Sequence, residues 1–183
     1  MTREALPAFK YFRDPLGVGV IQESDAVCLC CAQTRGYVYT GPVYAIEELD
    51  DQLCPWCIAD GSAARRFDAT FVDELGVGGY GSWEPVADEV KVELTTQTPC
   101  FVAWQSEQWW THCGDAAVFV DYAGKDELLR YGDALIQRLK NDVGIDDEQW
   151  NLVFQAMRKN GSVIAYVFQC RHCGEYGGYW DCD

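Results

Sequence analysis

The chain is short of positive charge. Its 183 residues carry 14 lysines and arginines against 29 aspartates and glutamates, a formal net charge of −15. Nucleic-acid phosphates are bound through Lys and Arg, so this balance speaks against nucleic acid as a partner; it favours attraction to a basic protein, with plain solubility the commoner reading of such a charge. The acidic residues are dispersed, with modest concentrations at 47–51 and 146–148. No run of 18 apolar residues occurs, which excludes a membrane-spanning helix. Residues 1–12 contain no apolar core of a secretory leader, so a cytoplasmic location is expected. Histidine is nearly absent, with two residues. That leaves no H-E-x-x-H, and no H-x-E paired with P-C-x-x-C as in the zinc deaminases.

Cysteine, by contrast, occurs ten times. In a reducing compartment such thiols serve as metal ligands in preference to five disulfides. Cys28, Cys31, Cys54 and Cys57 form two C-x-x-C pairs separated by 22 residues. Each C-x-x-C turn can present two thiolates to one ion at about 2.3 Å, and two turns complete a tetrahedral zinc shell. The alternative for one pair is a redox dithiol, and Cys54-Pro55-Trp56-Cys57 has a thioredoxin-like composition. Such a motif would stand alone, whereas here a second pair lies upstream. Cys30 is a third thiol in the first turn and the expected spare.

Cys170-Arg171-His172-Cys173-Gly174 is a third knuckle, whose glycine permits the tight turn. It needs donors from elsewhere, and His112-Cys113 is the nearest supply. A second zinc held by Cys113, Cys170, Cys173 and His112 is therefore expected. His172 would have to fold back over its own turn. Adjacent His112 and Cys113 on one ion would be strained, so Asp181 and Cys182 remain alternatives for the fourth ligand. A catalytic zinc with three protein ligands and a water is the competing reading, with Glu107, Asp115 or Glu175 as base. A thiol oxidoreductase using the same cysteines is a further alternative.

The fold class expected is α+β: zinc-ribbon-like knuckles and β-hairpins combined with several helices. Residues 1–80 read as an N-terminal arm plus a zinc-ribbon-like module, and 81–183 as a helical region closing on a C-terminal knuckle hairpin, the two forming one compact unit. Proline and glycine at 7, 15, 17 and 19 suggest an extended arm. The β-rich segment 35–44 suggests a hairpin turning at Gly41-Pro42. A short helix capped by Asp60 or Ser62 should run to about Phe71, and another from Glu84 to about Thr96. The glycine-rich segment 76–81 reads as a connector, since no Lys-Ser or Lys-Thr follows. Residues 116–119 look like the start of a short helix. Leu128, Tyr131, Leu135 and Leu139 recur at helical spacing behind Asp126. Asp146 and Gln149 resemble a capping box. Residues 162–169 and 174–180 read as paired strands. Trp104, Trp109 and Trp110 could form a partner surface, but such residues more often fill a core.

Several of these segments resemble the bacterial CbrC family: Pro15-Leu16 after an aromatic arm, Cys28-Leu29-Cys30-Cys31, residues 35–44, residues 53–61, Trp104-Gln105, residues 111–117 and Cys170-Arg171-His172-Cys173-Gly174. The resemblance implies a small cytoplasmic bacterial protein linked to tolerance of a nuclease-type colicin. In it a small residue usually follows the proline at Pro99, where this chain has Cys100, so Cys100 is not expected to be a ligand.

Overall fold

The computed structural model describes residues 4–141 and 144–183; residues 1–3 of the expected arm lie outside the described residues. The fold is α+β, as expected, with seven α-helices and seven strands among the described residues. At its centre is strand β6 (Val163–Gln169), flanked by antiparallel β5 (Val118–Ala123) and β7 (Tyr176–Cys182). Side chains alternate along a strand, and β6 uses both faces. Ile164, Tyr166 and Phe168 enter one apolar core, whereas Ala165 and Val167 enter the other. The expected short helix at 116–119 is corrected here. Val118, Phe119 and Val120 favour a pleated surface, and Phe119 pairs with Phe168 across β6.

Helices α5 (Lys125–Tyr131), α6 (Asp133–Asn141) and α7 (Asp147–Ala156) supply the core on one face through Leu128, Leu135, Leu139 and Trp150. The helical spacing from Leu128 to Leu139 is real, but Gly132 at φ +98° divides it into α5 and α6. Only glycine adopts such a φ cheaply. Asp146 caps α7, accepting from the Gln149 N–H at 2.8 Å.

On the other face, Phe101 stacks on Phe119 at 4.2 Å between centroids, and Trp109 and Phe168 close around them. Tyr11, Phe12, Leu53 and Phe71 from the N-terminal half join this same core. The expected extended arm contains a turn of helix, α1 (Pro15–Val18), because Asp14 accepts from the Gly17 N–H at 2.8 Å and Pro15 suits the first helical position. Strand β1 (Ile21–Glu23) pairs with β2 (Tyr37–Tyr39). This pairing replaces the hairpin expected within 35–44: the Tyr39 ring lies against Gly41 and its hydroxyl donates to the Pro42 carbonyl. Short helices α2 (Pro55–Ala59) and α3 (Ser62–Phe67) follow, with α3 ending four residues earlier than expected at Asp68, φ +48°. Helix α4 (Asp88–Gln97) starts after Glu84, because Glu84 is tied to strand β3 (Thr111–His112), whose Thr111 hydroxyl donates to its carbonyl at 2.6 Å.

Candidate metal centres

The first centre is built by two turns that lean on each other. Cys28 begins a loop closed by its own N–H to the Gln33 carbonyl at 2.9 Å and by Ala32 N–H to the Cys28 carbonyl at 2.8 Å. Cys54 caps α2 and Cys57 lies one turn inside it, so both sulfurs emerge on one side. The Leu29 N–H donates to the Gln52 carbonyl at 2.8 Å, and the Cys54 N–H to Cys28 Sγ at 3.2 Å. The four sulfurs of Cys28, Cys31, Cys54 and Cys57 consequently lie within 4.8 Å of one another. Cys28 to Cys57 is 3.9 Å, Cys31 to Cys54 3.8 Å and Cys54 to Cys57 3.5 Å. A tetrahedron with bonds of about 2.3 Å has edges of about 3.8 Å, so this spacing fits one ion. It is far beyond the roughly 2.05 Å of a disulfide, and all ten thiols are free.

The electrostatics agree. Hydrogen bonding from Cys54 holds the Cys28 thiol at about 4, whereas burial pushes Cys57 up to about 12 and the same hydrogen bond with Cys28, together with burial, raises Cys54 further. Crowded sulfurs admit one charge and resist the rest, a conflict that a divalent cation relieves.

The second centre is assembled from distant segments. Strands β3 and β4 (Asp115–Ala116) form a hairpin in which His112 pairs with Asp115, leaving Cys113-Gly114 as a two-residue turn. Both turn residues have positive φ, +56° and +71°, as a type I′ turn requires. For Cys113 this left-handed backbone costs about 1 kcal/mol. It also removes the expected objection to adjacent ligands: the turn swings the Cys113 sulfur back to 3.3 Å from His112 Nδ1. The knuckle between β6 and β7 brings up Cys170 and Cys173, closed by the Gly174 N–H to the Cys170 carbonyl at 3.1 Å. Cys173 Sγ is 3.5 Å from His112 Nδ1, and the donor atoms of His112, Cys113, Cys170 and Cys173 all lie within 4.8 Å. Tetrahedral bonds of about 2.05 and 2.3 Å put nitrogen and sulfur about 3.5 Å apart. Burial opposes the Cys170 thiolate, but backbone N–H groups, led by that of Cys173, hold it at about 6. Cys113 is pushed up to about 12 by desolvation and by the neighbouring sulfurs.

Outer contacts fix these donors. His112 Nε2 faces Glu175 Oε2 at 3.8 Å, and Arg138 from α6 pairs with the same carboxylate at 2.9 Å. The Trp110 ring stacks on His112 at 5.0 Å. Trp110 reaches this position because Gly177 has no side chain: a Cβ there would sit 2.2 Å from the indole. Asp115 accepts from Arg171 at 2.5 Å and from the Tyr11 hydroxyl at 3.2 Å, with His172 Nε2 3.0 Å away. Burial alone would raise its pKa, yet His172 and Arg171 hold it below the usual carboxylate range. The sequence signal for Trp110 and Gly177 was only an aromatic pair and a Gly-Gly step, neither of which names a partner.

The other candidates lie elsewhere. His172 is engaged with Asp115 instead of the cluster. Asp181 accepts from the Tyr166 hydroxyl at 2.8 Å, and Cys182 pairs with Val163 at the far end of the β6–β7 hairpin, so neither joins the second donor set. Cys30 donates to Ser62 Oγ at 3.6 Å outside the first quartet. Cys100 is fully buried beside Tyr39. Among the three candidate bases, Asp115 and Glu175 flank the second cluster, while Glu107 accepts from Tyr44. Trp109 and Trp110 are core residues, and Trp104 is half exposed, its Nε1–H donating to the Gly161 carbonyl. No helix of the described residues is long and apolar enough to cross a membrane.

Comparison with known proteins places residues 6–182 within a family described as "Uncharacterised protein family (UPF0167)". The UPF0167 protein Mb2317 of Mycobacterium bovis is 43% identical over 183 residues, covering 98% of this chain and 95% of the relative. The UPF0167 protein PA1536 of Pseudomonas aeruginosa is 39% identical over 180 residues, covering 97% of each. No solved structure matches. The expected CbrC membership is corrected by this match, and the colicin link that rested on it falls away.

Proposed function

The chain belongs to the UPF0167 family, and on that footing we propose that it is a cytoplasmic, non-enzymatic protein stapled by two zinc ions that acts by binding a basic protein. The observation that carries this reading is that each cluster supplies four protein donors at tetrahedral spacing. Thiolate-rich tetrahedral sets suit zinc, and four donors leave no position for a substrate or an activated water, which a zinc hydrolase would need. The first shell would hold Cys28, Cys31, Cys54 and Cys57; the second, His112, Cys113, Cys170 and Cys173. In each, zinc would supply cross-linking of segments that otherwise repel through their thiolates.

Charge supports the choice of partner. Residues 1–123 contain nineteen of the 29 acidic side chains and seven of the 14 basic ones, while 124–171 balance. Four thiolates on one Zn²⁺ add a charge of about −2 to the acidic half. Such a field accelerates encounter with a basic surface and is screened by salt. Native mass spectrometry of the full chain tests the metal reading: two zinc ions are expected, and one after Cys57→Ser or Cys113→Ser. One zinc in the parent, unaffected by Cys113→Ser, overturns the second site. For the partner, captured basic proteins are remeasured in purified form, with affinity expected to fall at least tenfold between 50 and 300 mM salt; salt-insensitive binding contradicts the reading.

A further inference from the structure

Within the second cluster the four donors are not equivalent. Cys170 is buried, and its sulfur accepts from the His172 N–H at 3.4 Å. Cys113 and Cys173 are exposed, and the contact made by each sulfur outside the sulfur cluster is with His112 Nδ1, a fellow donor. No backbone N–H is directed at either sulfur among the described residues. Cys113 also stands at the tip of a two-residue turn, whose other member, Gly114, donates its N–H to Glu84 Oε2 at 3.1 Å. The first cluster is different: three of its sulfurs are buried and Cys28 accepts a backbone N–H.

A metal-bound thiol is deprotonated outright, and coordination is one of the ways a protein keeps a nucleophile active. Hydrogen bonds to a thiolate draw off its charge and blunt it, so the bare, exposed sulfurs are the reactive ones. We propose that the Cys113–Cys173 edge of the second cluster is a stoichiometric acceptor of alkyl groups from small, soft, uncharged electrophiles. This rests on zinc occupying that cluster. The step forms one carbon–sulfur bond and breaks the bond from that carbon to its leaving group, which departs with the electron pair. No proton, oxidant or reductant is required. An anionic electrophile would be repelled by the cluster, by Glu175 and by the net charge of −15.

The test treats the full-length zinc protein with substoichiometric iodoacetamide at pH 6 and pH 8. Native mass spectrometry reads zinc content and peptide mapping reads the site of each adduct. Cys182, partly buried and outside both clusters, serves as the free-thiol control. The expected result is first alkylation at Cys113 or Cys173, at least tenfold faster than at Cys170 or any sulfur of the first cluster. The rate should change less than threefold between the two pH values, while that of Cys182 falls roughly in step with its thiolate fraction. Two zincs with adducts first at Cys182 or Cys170, or a Cys113 rate that falls with pH as Cys182 does, overturns the proposal. One zinc in the starting protein, lost from this cluster, overturns instead the zinc assignment beneath it.

Discussion

The first cluster draws its four donors from 30 consecutive residues, all of them sulfur, and buries three of the four. The second gathers a histidine and three cysteines from a span of 62 residues and leaves Cys113 and Cys173 exposed. The segments around the first have little regular structure of their own: a three-residue strand on either side of the first knuckle, a short helix that carries the second and another after it. The second sits on the end of a hairpin in which β6 and β7 pair over seven residues. The same tetrahedral chemistry thus carries different structural weight. Where strands and helices are short, an ion bound by the four sulfurs would have to hold the chain together; where a sheet already does so, an ion would close an edge.

The strongest way to break this comparison is Cys57→Ser. Structural zinc contributes its binding free energy to folding, so one zinc should be lost and the melting temperature should fall by about 10 °C or more, given 2–4 °C per kcal/mol at this size. A fall of under 3 °C by calorimetry would show that the first cluster is not what holds its module. Cys113→Ser should also lose one zinc but melt only about 5 °C lower, with the far-ultraviolet signal of the sheet retained. A larger loss than in Cys57→Ser would reverse the ranking. Chelation kinetics sharpen the contrast without mutation. With excess EDTA, zinc should leave in two phases at least tenfold apart, and in the faster one Cys113 alkylation should take on the pH dependence of a free thiol. Simultaneous release would make the two sites one cooperative unit.

Glu175→Gln probes the outer contact to His112 Nε2. A carboxylate behind a ligating imidazole raises its basicity. Zinc affinity at the second cluster should fall about tenfold in competition titrations, and that of the first should not move. The smallest effect is expected at Asp181, whose carboxyl is raised by burial although Tyr166 donates to it. A folded-state carboxyl pKa above the unfolded one means that the charged form costs stability at pH 7, a cost that is relieved as pH falls through the folded pKa. Asp181→Asn removes that charge and should leave the melting temperature at pH 7 unchanged or about 1 °C higher, with both zincs in place. Loss of a zinc would return Asp181 to the second shell of donors.

Much of this was legible in advance where the determinant was local. The C-x-x-C turns, the Asp146 cap and the β6–β7 hairpin depend on residues within a few positions of one another, and each can be reasoned from spacing or propensity. Failures came where a distant partner decided. Val118-Phe119-Val120 became a strand because β6 was there to pair with it, and residues 35–44 abandoned their own hairpin because β1 offered a better edge. Glu84 left its helix for Thr111 and Gly114.

The sequence by itself determined the chemistry: ten thiols, two histidines and a net charge of −15 permit soft-metal sites in an acidic chain, because softness and charge are properties of side chains wherever they lie. Only the tertiary structure decided which histidine stands with the cysteines. His112 is held beside them by Trp110 seated on Gly177 and by a left-handed turn at Cys113, while His172, inside the knuckle itself, turns to Asp115. Ligand choice is set by the direction in which a donor atom points, and direction comes from packing that spacing along the chain does not encode.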